Sequence, residues 1–140
     1  MKFNKLTTNL EVSSIKETVH FYQTVMGFSL TYAVPDTQDG ADQELIDGKT
    51  YVFAMMKCEE LELMFQRSDS FKHDVEIATN SEIGASASLY IEIEGIKEFY
   101  NQIREKVPVI TEMKTTWYGM NEFYMKDING YILGFGEKES

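Results

Sequence analysis

"SSIKETVHFYQTVMGF", residues 13–28, reads as one helix with both ends marked. Ser13 or Ser14 can serve as N-cap, and Glu17 stands three residues after Ser14, the spacing of a capping box. Ile15, Val19, Tyr22 and Met26 recur at three- and four-residue steps and give one apolar face, and Gly27 stands where a helix stops. The tripeptide "IKE" at 15–17 returns 81 residues later at 96–98. Around it Ile96, Tyr100 and Ile103 repeat the spacing of Ile15, Val19 and Tyr22, so the same face of a second helix is apolar.

Strand patterns surround both helices. "KLTTNLEV" (5–12) precedes the first, with Leu6, Leu10 and Val12 as its apolar residues, and "FSLTYAV" (28–34), "TYVFAMMKC" (50–58) and "ELELMFQ" (60–66) follow it. "LYIEIEGIKEFYNQIREKVPVITEM" (89–113) reads as strand, helix and strand, and "MNEFYMK" (120–126) and "YILGFGE" (131–137) complete the second set. A β-α-β-β-β unit therefore recurs, over about 1–66 and again over about 87–140. The polar stretch 67–86 reads as a linker that can hold one short helical turn. The acidic segment 36–48 reads as a mobile surface loop or, on its length, as the best candidate for a lid. In the last hairpin, Asp127, Asn129 and Gly130 mark a tight turn, but Gly134 and Gly136 interrupt the strand that follows. Glycine within a strand points to a close approach by something else.

Composition narrows the function classes. The 140 residues suffice for a real core, and a formal net charge of −10 repels phosphate backbones, so nucleic acid is not an expected partner. No apolar run approaches the ~20 residues of a membrane span, and the first residues lack the h-region of a secretory signal, so a cytoplasmic protein is expected. The single cysteine, Cys58, has no intramolecular disulfide partner, and neither His20 nor His73 stands beside it in sequence as the base of a nucleophilic pair.

The order of a first-strand valine, the helix with Phe21-Tyr22, the pair Gly27-Phe28 and the closing "DINGYILGFGE" resembles the vicinal oxygen chelate superfamily of glyoxalase, bleomycin-resistance and extradiol dioxygenase proteins. Ile128 stands where proline is common in that closing motif. The resemblance implies an α+β fold in which two βαβββ modules form a half-open, curved mixed β-sheet barrel around a ligand cleft, with the helices outside.

In the metal enzymes of the family, four cleft positions supply His, Glu or Gln to a divalent cation. Carried over one at a time, they fall on Thr7, Glu62, Ser88 (or a neighbour) and Gly134. One carboxylate with two hydroxyls is a poor set for zinc, nickel or iron(II), so no metal cofactor is expected. Ser88 and Gly134 would instead leave a floor for a planar group, flanked by Met64 and Tyr90 on the same strand faces. "TTWYGMNEFY" (115–124) supplies Trp117, Tyr118, Met120 and Tyr124 as stacking and adaptable surfaces. The acidic composition resembles the bleomycin-resistance branch, which implies a metal-free homodimer that sequesters an aromatic or cationic small molecule. The alternative is a lyase, isomerase or dioxygenase using Glu62 as metal ligand or general base.

Overall fold

A computed structural model describes residues 1–84 and 86–140. Ala85, inside the expected linker, lies outside the described residues. The chain is α+β and divides into two units, Met1–Ile83 and Gly84–Ser140.

The first unit runs β1 (Thr8–Val12), α1 (Ile15–Thr24), β2 (Ser29–Pro35), β3 (Tyr51–Cys58), β4 (Leu61–Arg67) and α2 (Ser68–Asp74). Its sheet has the order β1-β4-β3-β2, with β1 parallel to β4 and the other pairs antiparallel. Ser14 caps α1 by accepting the Glu17 N–H. The helix closes with the Val25 N–H on the Phe21 carbonyl, and Gly27 then turns the chain at φ 74°. Ile15, Val19 and Tyr22 are buried, with the Tyr22 and Phe65 ring centroids 4.8 Å apart.

The second unit repeats the plan with β5 (Ser88–Glu92), α3 (Ile96–Ile103), β6 (Lys114–Thr115), β7 (Met120–Lys126) and β8 (Ile132–Lys138), in the order β5-β8-β7-β6. Ile96, Tyr100 and Ile103 bury the helix face, and Phe123 and Phe135 stack beneath them with centroids 5.0 Å apart. Gly95 at the N-cap has no side chain to offer, and Glu137 on β8 accepts the Gly95 and Ile96 N–H groups instead. A carboxylate from another element thus satisfies donors that a local cap would otherwise take.

Three expectations are corrected. The strand expected near 107–113 is broken: Pro108 has no N–H to give, Ile110 makes only an isolated bridge to Met125, and the Thr111 hydroxyl replaces a carbonyl as acceptor for the Tyr124 N–H. The two-residue β6 is what remains of regular pairing at that edge. The segment 67–86 is more than a linker, because α2 packs on the first unit and a 3₁₀ turn follows at Glu76–Ala78. Leu6, expected as a strand residue, lies before β1 and is exposed along with Met1 and Phe3. The acidic loop is tied to the edge strand β2 by paired backbone bonds between Ala33 and Asp42.

Candidate functional site

In a strand, alternate residues share a face, and residues paired across strands share it too. Phe123, Met125, Leu133 and Phe135 point to α3, so the residues between them form the opposite face of the second sheet. One cross-strand row there reads Tyr90, Gly134, Tyr124, and the next reads Glu92, Gly136, Glu122, Lys114.

The two glycines make room for tyrosine rings. A Cβ on Gly134 would lie 2.6 Å from Tyr124 Cε1 and 3.2 Å from Tyr90 Cδ1, and one on Gly136 would collide with the Tyr90 hydroxyl end. Real side-chain carbons do not approach so closely, so any larger residue must push a ring away. The floor expected for a ligand's planar group at Gly134 is therefore filled by the protein's own Tyr90 and Tyr124. Tyr90, not Ser88, is the register partner of Gly134; Ser88 pairs with Ile132 and is exposed.

Lying across β8, Tyr90 donates its hydroxyl to Glu122 Oε2 at 2.6 Å. The Tyr118 hydroxyl straddles the same carboxylate, 2.8 Å from each oxygen. Glu122 is consequently only 3 % exposed. A buried carboxylate is tolerable where hydrogen bonds replace lost water. Both tyrosines are pushed above the ordinary phenol range, Tyr90 chiefly by burial and then by its bond to Glu122, Tyr118 chiefly by that bond. Both hydroxyls thus stay donors well into alkaline pH.

Beside this carboxylate is a concavity of about 460 Å³, lined by Lys114, Thr115, Thr116, Trp117, Tyr118, Glu122 and Tyr124. Trp117 is 94 % exposed and meets Tyr118 edge-on at 5.3 Å. Leaving an indole in water forfeits the burial that usually stabilises it, and an exposed aromatic rim is how stacking surfaces are presented. Met120 adjoins from β7, its Cε 3.1 Å from the place of a Gly136 Cβ. A second, shallower concavity of about 620 Å³ follows β2 and the acidic loop, lined in part by Leu30, Thr31 and Asp42. There Asp42 is already engaged by Tyr51 and Lys49.

The structure thus gathers Tyr90, Trp117, Tyr118, Met120, Tyr124 and Gly134 around one face. Thr7, Glu62 and Met64 belong to the first unit, where Met64 is half-buried and Thr7 precedes β1. Glu62 is ion-paired with Lys5 and stands opposite Lys57 in register. Gly134 has no donor, and one carboxylate with two hydroxyls is a poor set for a divalent cation. Among the described residues, no three His, Cys, Asp or Glu side chains gather as a metal would need. Cys58 is no activated thiol, since burial and then Glu59 push its pKa up. Sequence reasoning missed Glu122, Lys114 and Gly136 as parts of this face. The signal was available, because Glu122 lies midway between Met120 and Tyr124 in strict alternation.

Comparisons with known proteins follow this geometry. The family described as Glyoxalase/Bleomycin resistance protein/Dioxygenase superfamily matches residues 6–135. A bleomycin resistance protein of Geobacillus stearothermophilus is 28% identical over 135 residues, covering 90% of each chain. Among solved structures, a glyoxalase-related enzyme from Clostridium phytofermentans superposes with a TM-score of 0.69 at 16% identity, covering 99% of this chain and 97% of that one. The bleomycin-binding protein of Streptomyces verticillus, complexed with copper(II)-bleomycin, superposes with a TM-score of 0.58 at 18% identity, covering 100% and 98%. At these identities the superpositions establish a shared fold.

Proposed function

The chain belongs to the glyoxalase/bleomycin resistance protein/dioxygenase superfamily, and from that premise we propose a small-molecule binding protein that holds a flat aromatic compound on the open face of its second unit. The observation that carries this reading is the exposed Trp117–Tyr118 pair standing over the concavity beside Tyr124. Stacking and shape supply the affinity, and no metal is needed for either. The bleomycin-resistance relative, matched over nine-tenths of both chains, supports a bleomycin-like aromatic ligand.

Trp117 is the sole tryptophan, so its fluorescence reports on the site. Titration with metal-free bleomycin should give saturable quenching. By calorimetry, Trp117→Ala should weaken the same ligand roughly three- to tenfold, the scale of one aromatic contact. No saturable binding of bleomycin or of simple planar aromatics would overturn the reading.

The protein is also proposed to act as a homodimer. Met1, Phe3 and Leu6 form an exposed apolar arm, and such residues in series favour burial against a partner. Light scattering after size exclusion should give twice the chain mass, and a monomer at micromolar concentration would refute the pairing.

A further inference from the structure

The carboxylate of Glu122 is nearly buried beside two tyrosine hydroxyls. Among the described residues, none of the ion pairs includes it. Its two donors are neutral hydroxyls, whereas an ionised carboxylate has about four acceptor sites. Lys114 is its register partner on β6 and is exposed in the same concavity, while Glu92 carries a second carboxylate in the same row beyond Gly136. The row therefore has two acids to one base.

The two hydroxyls differ in how firmly they are held. Tyr90 is braced over Gly136 on the parallel pair β5–β8. Tyr118 is half-exposed on the hairpin tip 116–119, next to the shortest strand of the sheet, and Gly119 there has φ 83°. Such a tip opens at lower cost than paired strands do.

We propose that Glu122 anchors a cationic group on the bound aromatic compound, and that the Tyr118 hydroxyl is a latch which this cation displaces. The proposal rests on the binding reading above and names the ligand class: a planar aromatic ring bearing a positive charge. The tyrosine hydroxyl offers only a dipole to this carboxylate, whereas an N–H-bearing cation adds the attraction of opposite charges at a site sheltered from water, so the exchange favours the cation. Lys114 is the internal competitor for the same oxygens.

The test uses acridine, uncharged at mildly alkaline pH, and 9-aminoacridine, the same ring system but still protonated there and carrying N–H donors, each titrated calorimetrically into the 140-residue protein. The cation should bind roughly tenfold tighter. Glu122→Gln should erase that preference, bringing the ratio of the two affinities to about one. Tyr118→Phe keeps the ring and removes the latch, so it should raise the ratio of cation to acridine affinity several-fold, and Lys114→Met should act in the same direction. Equal affinity of the two probes, or a Tyr118→Phe that lowers that ratio, overturns the anchor and latch while leaving aromatic binding intact. If neither probe binds, the binding reading falls and takes the anchor with it.

Discussion

The two units share a plan but treat the sheet face away from the first helix differently. In the first unit that face carries Asn9, Glu11 and Gln66, and α2 closes over its end. Ser68 donates to Glu11 at 2.5 Å, Lys72 lies 3.7 Å from the same carboxylate, and Gln66 links Asn9 to Ser70 and Asp74. In the second unit the corresponding face carries Tyr90, Glu122 and Tyr124, and among the described residues no helix bonds to it. Seven residues after a fourth strand therefore separate a face whose hydrogen bonds are made to a helix from one whose hydrogen bonds are made by tyrosines of its own sheet and hairpin. Where α2 supplies polar partners, the buried groups rigidify the fold. Where tyrosines supply them, the same satisfaction comes from side chains that can move.

The sharpest way to break this contrast is Gln66→Ala. It strands the Asn9 amide and the α2 acceptors around a nearly buried site, and should cost about 2–4 kcal/mol by denaturant unfolding. A loss under about 0.5 kcal/mol would mean that α2 does not seal the face. Next comes Gly136→Ala, which must push Tyr90 off Glu122. About 1–3 kcal/mol is expected, with the Tyr90 ionisation moving back toward the ordinary phenol range in a tyrosinate absorbance titration.

A smaller effect appears with pH. Because Tyr90 and Tyr118 are raised in the folded protein, the unfolded chain ionises first. Their stabilisation is complete below about pH 10, the unfolded tyrosine value, and is lost as pH rises through the folded values. The stability gap between wild type and Tyr90→Phe should therefore narrow in alkaline unfolding curves, and a gap that widens would contradict the hydroxyl arrangement. The smallest change is Lys5→Met. It removes the partner of Glu62 at a partly exposed position and should shift stability by at most about 1 kcal/mol, with acridine affinity unchanged. A loss of ligand binding in that variant would move the site to the first unit.

Much of the framework was legible because its causes are local. The Ser14 cap, the faces of α1 and α3 and the turn at Asp127–Gly130 each depend on residues within one or two turns of each other. Asp127 Oδ1 accepts from Asn129 and Tyr131, as an Asx turn does. α2 was harder to read because it buries no residue of its own, so it leaves no apolar period to find. The broken strand before β6 misled for the opposite reason: Val107, Val109 and Ile110 suit a strand, and only Pro108 and the Thr111 side chain show why pairing lapses.

The sequence alone determined the repeated βαβββ plan, the acidic surface and the residue types around Trp117, since composition and periodicity are properties of neighbours along the chain. The tertiary structure decided that Gly134 and Gly136 serve tyrosine rings, that Glu62 is taken by Lys5, and that Glu122 becomes a sheltered carboxylate. The Lys5–Glu62 pair belongs to the first unit. The tyrosine and Glu122 outcomes depend on the register of β5, β8 and β7, which brings Tyr90 to Glu122 across 32 residues of sequence. A shift of one residue in that register would turn every one of these side chains to the other face.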